Sequence, residues 1–482
     1  MLWIGLLLVL SLDAAPGVVV VASALSVALG ALFGTDDDGR AYSRHSAGER
    51  SIMKLGDVFE RVTDADVPIG FRAYDGSMAG PRDARGVVVV RSPAAVRNFV
   101  SAPSELGLAR AYVTGAIEVD GELHDVLKAL DAHRGKGLGW RDALVLLSAL
   151  LRTGLRPVQV PAEESRAPRR GTLARHTRGR DAASIGHHYD ISNRFYELLL
   201  GPSMTYSCAL FGTAGTSLED AQRAKIDLVC RKLDLRPGSR LLDIGAGWGA
   251  LVRHAATHYG ASAIGVTLSA EQATWATRAI EQEGLTGRVE VRLQDARDVT
   301  EDGFDAISSV GAMEHIGTAG LGGHFAAMAA KLRPEGRMLN HTITRPSNHE
   351  NNRPGPFIDR YVFPDGELQS PGTVMGAMHD NGLEVRHSEN LREHYAMTLA
   401  AWRTNLETHW GHAVREVGER RARVWRLYLA LSQVGFETNR IQIHQFLAVA
   451  AAPNGRSGMP LRPGWTPGGK QRSVPREVVA HR

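Results

Sequence analysis

Three closely spaced glycines, Gly245, Gly247 and Gly249, lie between a hydrophobic run and a helical pattern in the segment LLDIGAGWGALV, residues 241–252. Glycines at this spacing permit a tight turn and let the backbone approach a nucleotide closely. Asp243 lies two positions before the first of them, and the third glycine of the dinucleotide fingerprint GxGxxG is missing. The segment therefore predicts a site for S-adenosylmethionine rather than for NAD.

Two later segments supply further candidate contacts to this cofactor. The second predicted strand ends at Thr267, Gln272 lies about one helical turn beyond, and Asp295 follows the third predicted strand. Most methyltransferases of this class hold the ribose with an acidic residue where this chain has Thr267, so the match to the generic pattern is imperfect. Asp295 is placed to contact the adenine amine. Asp243 could instead cap a turn, and Asp295 could begin a surface loop.

Strand and helix patterns alternate through this part of the chain, which indicates a mostly parallel, doubly wound α/β sheet with helices on both faces. The predicted strands are residues 240–244, 262–266, 289–293, 304–309 and 337–343. The predicted helices are residues 248–258, 271–283 and 323–332. We therefore expect the class I S-adenosylmethionine-dependent methyltransferase fold, preceded by a smaller N-terminal α/β domain.

Length and composition limit the number of domains and the kinds of site that the chain can contain. The chain has 482 residues, a net charge of +4 and two cysteines. Such a length suggests two or three domains. Cys208 and Cys230 are too few for a disulfide scaffold or a cysteine-rich zinc site, and they fit a reducing cytoplasm. We predict no metal site.

The predicted organisation has five parts. They are an apolar extension (1–52), an N-terminal domain (53–155), a basic linker (156–182), the catalytic domain (183–452) and a disordered tail (453–482). The extension holds a 17-residue apolar run, near the lower limit for crossing a bilayer. It could be a membrane anchor, the product of a mis-assigned start codon upstream of Met53, or a buried helix. The linker arginines could be solvated or could attract anionic lipid or nucleic acid.

Several blocks resemble the cyclopropane-fatty-acyl-phospholipid synthase family, in the family's order and over about 260 residues. They are HYDISNRFYELLLGPSMTYSCALF (188–211), DIGAGWGALV (243–252), GVTLSAEQ (265–272), SSVGAMEHIG (308–317), LNHTIT (339–344), FIDRYVFPDGEL (357–368), HYAMTLAAW (394–402) and IQIHQFLAV (441–449). The N-terminal domain resembles the family's through LGLARAYVTGAIEVDGEL (106–123), which implies that it binds the membrane or the phospholipid.

The resemblance implies two sets of site residues. Those implied to line the cofactor are Tyr206, Ser207, Asp243, Gly245, Gly247, Trp248, Gly249, Thr267, Gln272 and Asp295. Those that correspond to the family's bicarbonate pocket are Cys208, Glu314, His341, Ile343 and Tyr395. Ala246 replaces a frequent family cysteine, and Ser432 replaces a cysteine once proposed as catalytic, which rules out a thiol nucleophile there.

The implied reaction is methylation of an alkene, which leaves a carbocation on the neighbouring carbon. The protein must exclude water and supply a base, and aromatic walls suit such a cation; Trp248, Tyr361 and Phe363 are candidates. Bicarbonate is a plausible base because a carboxylate side chain within bonding range could itself be alkylated. Glu314 and His341 are then expected to orient the ion.

Each of these roles has an alternative. In the same hypothesis Tyr395 donates a hydrogen bond to the ion, while Cys208 shapes the pocket together with Ile343. Glu314 could instead be a satisfied carboxylate at a helix start, and a solitary histidine at a strand end is often structural. Cys208 with His188 could suggest a thiol protease, but no third orienting group is recognisable.

The resemblance leaves two products open. Direct loss of a methyl proton closes a cyclopropane, whereas a prior hydride shift gives a 10-methylene chain, the precursor of methyl-branched acids. The sequences of residues 306–317, 339–345 and 380–399 resemble the actinobacterial methylene-forming branch more than ordinary cyclopropane synthases, which favours the methylene product. Expected partners are a phospholipid surface with unsaturated chains at the inner face of the cell membrane, a reductase and a second copy of the chain.

Two rival functions belong to other classes. A nucleic-acid methyltransferase could use the same fold and the basic linker, but the fourth strand leads into residues 309–312 without the Asn-Pro-Pro-aromatic motif of amino-group methylation. A non-enzymatic lipid-binding protein with an inactive cofactor fold is the second rival. Retention of every pocket residue type disfavours it.

Overall fold

The computed structural model describes residues 54–102, 104–133, 158–164, 191–349 and 353–465. The apolar extension, most of the basic linker, the end of the tail and His188 lie outside these ranges. The chain divides into two compact units between Ala162 and Glu163, a position inside the predicted linker. The other domain boundaries stay predictions. No helix among the described residues is long and apolar enough to cross a membrane.

The first unit is a small α/β domain. Its elements are α1 (Leu55–Val62), β1 (Gly70–Ala73), β2 (Met78–Ala79), β3 (Val87–Val90), α2 (Ala94–Ser101), α3 (Glu105–Val113), β4 (Ile117–Asp120) and α4 (Leu123–Ala132). The strand order is β2-β1-β3-β4, with β1 and β3 parallel. The four valines of β3 form a strand because β-branched residues suit a buried sheet. Phe59 stacks on Phe71 in the core, with ring centroids 4.8 Å apart.

The second unit carries the candidate site. Its first elements are α5 (Asn193–Leu200), α6 (Leu218–Lys232), β5 (Arg240–Ile244), α7 (Ala250–Tyr259), β6 (Ser262–Thr267), α8 (Ala270–Gln282), β7 (Val289–Leu293), β8 (Phe304–Val310), α9 (Leu321–Lys331) and β9 (Leu332–Thr344). Its last elements are α10 (Pro356–Tyr361), α11 (Pro371–His379), β10 (Glu384–Asn390), α12 (Arg392–Thr408), α13 (Trp410–Val417), α14 (Glu419–Glu437) and β11 (Gln442–Val449).

The seven strands of this unit form one sheet in the order β10-β11-β9-β8-β5-β6-β7. The pairs from β7 through to β9 are parallel, whereas β11 pairs antiparallel with both β9 and β10. Successive residues of β5 face opposite sides, so Leu241 joins one hydrophobic core and Leu242 joins the other. Burial on both faces explains the continuous apolar run that predicted this strand. The α/β class and the mostly parallel sheet are confirmed.

Local signals set the ends of the elements near the site. Ser217 accepts a hydrogen bond from the Asp220 amide at the start of α6, and Ser269 accepts one from the Gln272 amide at the start of α8. Such caps stabilise a helix by about 1 kcal/mol each. The helix α8 therefore begins directly after β6, which holds Gln272 close to the end of that strand.

Candidate active site

The glycine turn connects β5 to α7 in a conformation that only glycine adopts readily. Gly245, Gly247 and Gly249 have φ angles of +71°, +55° and +77°. A Cβ added at Gly247 would meet no atom within 4 Å, so this part of the backbone faces open space. A Cβ added at Gly265 would lie 2.7 Å from the Cβ of Ala246, which forces a glycine in the neighbouring strand.

A cavity of about 1000 Å³ opens at the carboxyl ends of β5, β6, β7 and β8. The chain order reverses between β5 and β8, and ligands of α/β sheets bind at such a reversal. The predicted cofactor residues that line it are Tyr206, Ser207, Asp243, Gly245, Gly247, Trp248, Thr267, Gln272 and Asp295. Gly249 is not among the lining residues, because its Cα faces Ala276 and Val291 in the core.

Asp243 is a buried carboxylate in the wall of this cavity. The Ser308 hydroxyl donates a hydrogen bond to its Oδ1 at 2.6 Å. Burial raises the pKa of Asp243 to about 7, although this hydrogen bond and the nearby Lys225 act in the opposite direction. The group therefore changes charge near neutral pH, directly beside the predicted cofactor position.

Lys225 is a cavity residue that the sequence reasoning missed. Its Nζ donates to Ser207 Oγ at 2.8 Å, and burial lowers its pKa to about 8. Electrostatic interactions with Cys208, Asp243 and Cys230 oppose this shift. The signal was present in the sequence, since Lys225 lies on the same stripe of α6 as the buried Ala221 and Val229.

Thr267, Gln272 and Asp295 have local partners. The Thr267 hydroxyl donates to Gln272 Oε1 at 2.7 Å and accepts from the Ser269 amide at 3.2 Å. Asp295 caps a short 3-10 turn and forms a salt bridge of 2.6 Å with Arg297. Asp295, which could alternatively have begun a surface loop, thus caps this turn and also lies in the cavity wall.

Glu314 lies in a short 3-10 turn after β8 and does not line the large cavity. Its Oε1 accepts a hydrogen bond of 2.7 Å from the Ile343 amide in β9. Its Oε2 is buried and has no hydrogen-bond partner in the described ranges. Burial raises the pKa of Glu314, against the effects of hydrogen bonds from the Ile343 amide, from the main-chain amide of Glu314 itself and from the Thr342 side chain. A buried oxygen without a partner is costly, so it points to a ligand at this position.

His341 also has a buried side-chain atom without a hydrogen-bond partner among the described residues. It is 1% exposed, and its main-chain oxygen accepts a hydrogen bond of 2.8 Å from the Gly311 amide. Its Nδ1 lies 3.2 Å from Gln445 Nε2, while its Nε2 has no partner within the described part of the chain. Burial lowers the pKa of His341 well below the usual value, so the ring is neutral.

Cys208 and Tyr395 are joined through the start of α12. The Cys208 thiol is fully buried and donates to the main-chain oxygens of Ala209 and Leu391, at 3.3 and 3.7 Å. The Leu391 oxygen also accepts from the Tyr395 amide. Burial raises the pKa of the Cys208 thiol, which disfavours a thiolate nucleophile. Lys225 interacts electrostatically with both Cys208 and His341.

Aromatic side chains surround these groups. The Tyr206 hydroxyl donates to the Tyr428 hydroxyl at 3.2 Å, and burial raises the pKa of Tyr428 to about 12. Tyr428 is hydrogen-bonded to Ser432 and lies within electrostatic reach of Glu314. The sequence reasoning missed Tyr428, which had no motif to mark it. Its position on the buried face of α14 was the available signal.

The three predicted aromatic wall residues lie in different places. Trp248 lines the cavity and packs on Tyr196, with ring centroids 4.8 Å apart. Phe363 packs edge-on against Tyr428. The Tyr361 hydroxyl instead donates to Glu164 Oε2 at 3.2 Å. Trp248 is therefore the wall residue that lies directly at the cavity.

The chain is similar in sequence to known proteins. Residues 176–446 match the family described as "Mycolic acid cyclopropane synthetase". The chain is 46% identical over 432 residues to "Probable fatty acid methyltransferase Rv3720" of Mycobacterium tuberculosis, covering 88% of this chain and 100% of that protein. It is 32% identical to "Tuberculostearic acid methyltransferase UfaA1" of the same organism, covering 82% of this chain and 90% of that protein.

A solved structure is similar to the second unit. It is the "mycolic acid cyclopropane synthase CmaA1 complexed with SAH and CTAB". The TM-score is 0.52 at 33% identity, and the match covers 55% of this chain and 97% of that one. That protein's complex with S-adenosylhomocysteine agrees with a nucleotide-sized cavity at the glycine turn.

Proposed function

Because this chain belongs to the mycolic acid cyclopropane synthetase family of S-adenosylmethionine-dependent methyltransferases, we propose that it methylates the cis double bond of unsaturated fatty acyl chains on phospholipids. The observation that carries the proposal is the pair of buried free atoms, Glu314 Oε2 and His341 Nε2. They offer an acceptor and a donor to a small anion that can take up a proton.

The cavity fits S-adenosylmethionine. Gly247 leaves room for close backbone approach, and an ionised Asp243 beside it suits a ligand that carries positive charge. Thr267, Gln272 and Asp295 supply polar groups on the neighbouring strand ends. When bound, the cofactor supplies an electrophilic sulfonium methyl group.

Two buried side-chain atoms support bicarbonate as the bound anion. Glu314 Oε2 would accept the hydrogen bond of the ion's hydroxyl group, and His341 Nε2 would donate one to a charged oxygen. In this proposal Tyr395 would donate a further hydrogen bond, while Cys208 and Ile343 would shape the pocket. The ion would supply a proton acceptor. Its advantage over a carboxylate side chain is that alkylating it would not inactivate the protein.

The active site must also keep water away from the acyl chain. Methyl transfer to one alkene carbon leaves a cation on the next, and water would trap it. The rings of Trp248, Tyr206 and Tyr428 would stabilise positive charge without attacking it. Trp248 and Tyr428 are buried and Tyr206 is half-buried, which would limit the access of water to the cation.

The product we propose is the 10-methylene chain, formed when a hydride shift precedes loss of the proton. The sequence blocks that resemble the methylene-forming branch, and similarity to a relative named for tuberculostearic acid, support it. The alternative is the cyclopropane, which direct proton loss would give at the same double bond. The family description names that product.

Lipid analysis of an expressing host tests this function. The full chain is produced in a bacterium that makes unsaturated phospholipids and no methylated ones, and acyl chains are examined by mass spectrometry before and after hydrogenation. We expect chains 14 mass units heavier that take up hydrogen and become methyl-branched. A product that resists mild hydrogenation would replace the methylene assignment by the ring. Unchanged lipids, with S-adenosylmethionine bound, would refute the function.

We also propose that the substrate is reached from the phospholipid surface at the inner face of the cell membrane, where the first unit would bind. A reductase acting on the methylene product and a second copy of the chain remain proposed partners. Salt-dependent RNA binding without a lipid product would favour the nucleic-acid alternative instead.

A further inference from the structure

We propose that Gln445 and Lys232 are positioning residues that hold His341 in the tautomer whose Nε2 carries the proton. The ring then always presents a hydrogen-bond donor to the anion pocket. The inference deepens the proposed function and rests on it for the identity of the anion, but the tautomer itself follows from contacts within the protein.

The first step is the orientation of the Gln445 side chain. Lys232 has a fully buried side chain, and its Nζ donates to Gln445 Oε1 at 2.8 Å. Glu389 accepts a second hydrogen bond from the same nitrogen, and the Trp465 ring lies 5.3 Å away. An ammonium group can only donate. The amide oxygen of Gln445 must therefore face Lys232, and the amide nitrogen must face the other way.

The second step is the assignment of the histidine protons. Gln445 Nε2, which can only donate, lies 3.2 Å from His341 Nδ1. Nδ1 must therefore be the acceptor. The nearby Lys225, Lys232 and His444, together with burial, lower the pKa of His341 and keep the ring neutral. A neutral imidazole has one proton, so it resides on Nε2.

The third step connects this tautomer with the pocket. His341 Nε2 is buried without a partner among the residues that the structure describes. An N–H at this position attracts an anion, whereas the opposite tautomer would face it with a lone pair. The pairing of β11 with β9 sets Gln445 directly opposite His341. The strand register thus places the Gln445 amide between Lys232 and His341, where it contacts both side chains.

The experiment measures the tautomer without any substrate. The full chain is labelled with 15N-histidine, and two-bond proton–nitrogen correlations distinguish protonated from unprotonated ring nitrogens; the His341→Asn variant identifies the signals of His341. We expect Nε2 to be protonated and Nδ1 unprotonated between pH 6 and 8. A protonated Nδ1 in the unmodified protein overturns the proposal.

Two variants test the positioning chain. Gln445→Leu removes the amide, and Lys232→Met removes the donor that orients it. Each should mix the two tautomers and lower kcat by about tenfold, with the KM for S-adenosylmethionine unchanged. Gln442→Leu on the same strand, whose amide bonds Asn439, is the matched control and should keep both the spectrum and kcat.

The outcomes separate the two proposals. A single Nε2 tautomer that persists in whichever of the two variants folds overturns the positioning role, even if methylated lipids are made. Failure of the proposed function would appear instead as unchanged lipids with the expected tautomer intact. Fold is checked by thermal denaturation of each variant beside the control.

Discussion

The cofactor cavity and the proposed anion pocket of the second unit differ in which parts of the chain form them. The cavity is open, about 1000 Å³ in volume, and is formed by consecutive strand ends and a glycine backbone. The proposed pocket instead involves buried side-chain atoms from distant elements, with Glu314 after β8, His341 on β9 and Gln445 on β11.

This contrast in construction implies different contributions of the two regions to the reaction. The cavity has room for a ligand and needs little from any one side chain, so its effects should appear in affinity. The pocket leaves Glu314 Oε2 and His341 Nε2 without partners, so its effects should appear in turnover. Variants that change only affinity or only turnover would therefore support this division between cavity and pocket, and variants that change both would contradict it.

The largest expected effect is on turnover. Glu314→Gln replaces the buried acceptor by an amide, which donates at one of its two positions. We expect kcat to fall by about 10³-fold while S-adenosylmethionine affinity changes little, a magnitude within the range for general acid–base catalysis. Radiolabel transfer from the cofactor to lipid measures kcat, and calorimetry measures binding. Activity near that of the unmodified protein would mean that Glu314 does not hold the base.

The next effect is on affinity. Gly247→Leu places a side chain into the cavity from a backbone with φ of +55°. Binding of S-adenosylmethionine should weaken by at least about 100-fold, since the new side chain occupies the ligand's space and the backbone is strained. Gly238→Leu is the matched control, because its φ is +88° and an added Cβ would also meet no atom within 4 Å. Equal losses in both variants would indicate strain alone.

The smallest effect is a pH dependence of binding. Asp243 has a pKa near 7 without ligand, because burial favours its neutral form. A positively charged ligand binds the ionised form better, so affinity should rise about tenfold from pH 6 to pH 8. Asp243→Asn should lose this rise. Calorimetry across that range checks it, and a pH dependence that survives in the variant would assign the titration to another group, such as Lys225.

Much of the fold was predictable from pattern alone. The strands at 240–244 and 289–293 were predicted to the residue, and those at 262–266 and 304–309 to within one residue, whereas β9 begins at Leu332 rather than at 337. The central strand β5 was recognisable because burial on both faces favours neighbouring apolar residues, and the edge strand β7 because its valines alternate with charged residues. The strands β10 and β11 were not predicted. β10 lies at the edge of the sheet and alternates half-buried and exposed residues in EVRHSEN, which gives no hydrophobic signal. β11 is apolar and buried, but its segment was used only for its resemblance to the family.

The candidate site also has a part that was predictable from the sequence and a part that was not. The glycine turn was predicted because its chemistry is local to one segment. Lys225 and Tyr428 were missed because their importance comes from burial beside groups far away in the chain. The network from Lys232 to His341 depends on strand register, which a sequence motif does not express.

The last strand, β11, is inserted between β9 and β10 rather than added at an edge. During translation, β9 leaves the ribosome about a hundred residues before its partner is made, so its outer edge stays open on the nascent chain. A premature stop codon upstream of Gln442 would yield a polypeptide with a nearly complete cofactor turn but an unsealed sheet. Such a fragment would be a target for chaperones and proteases, not a weakened enzyme.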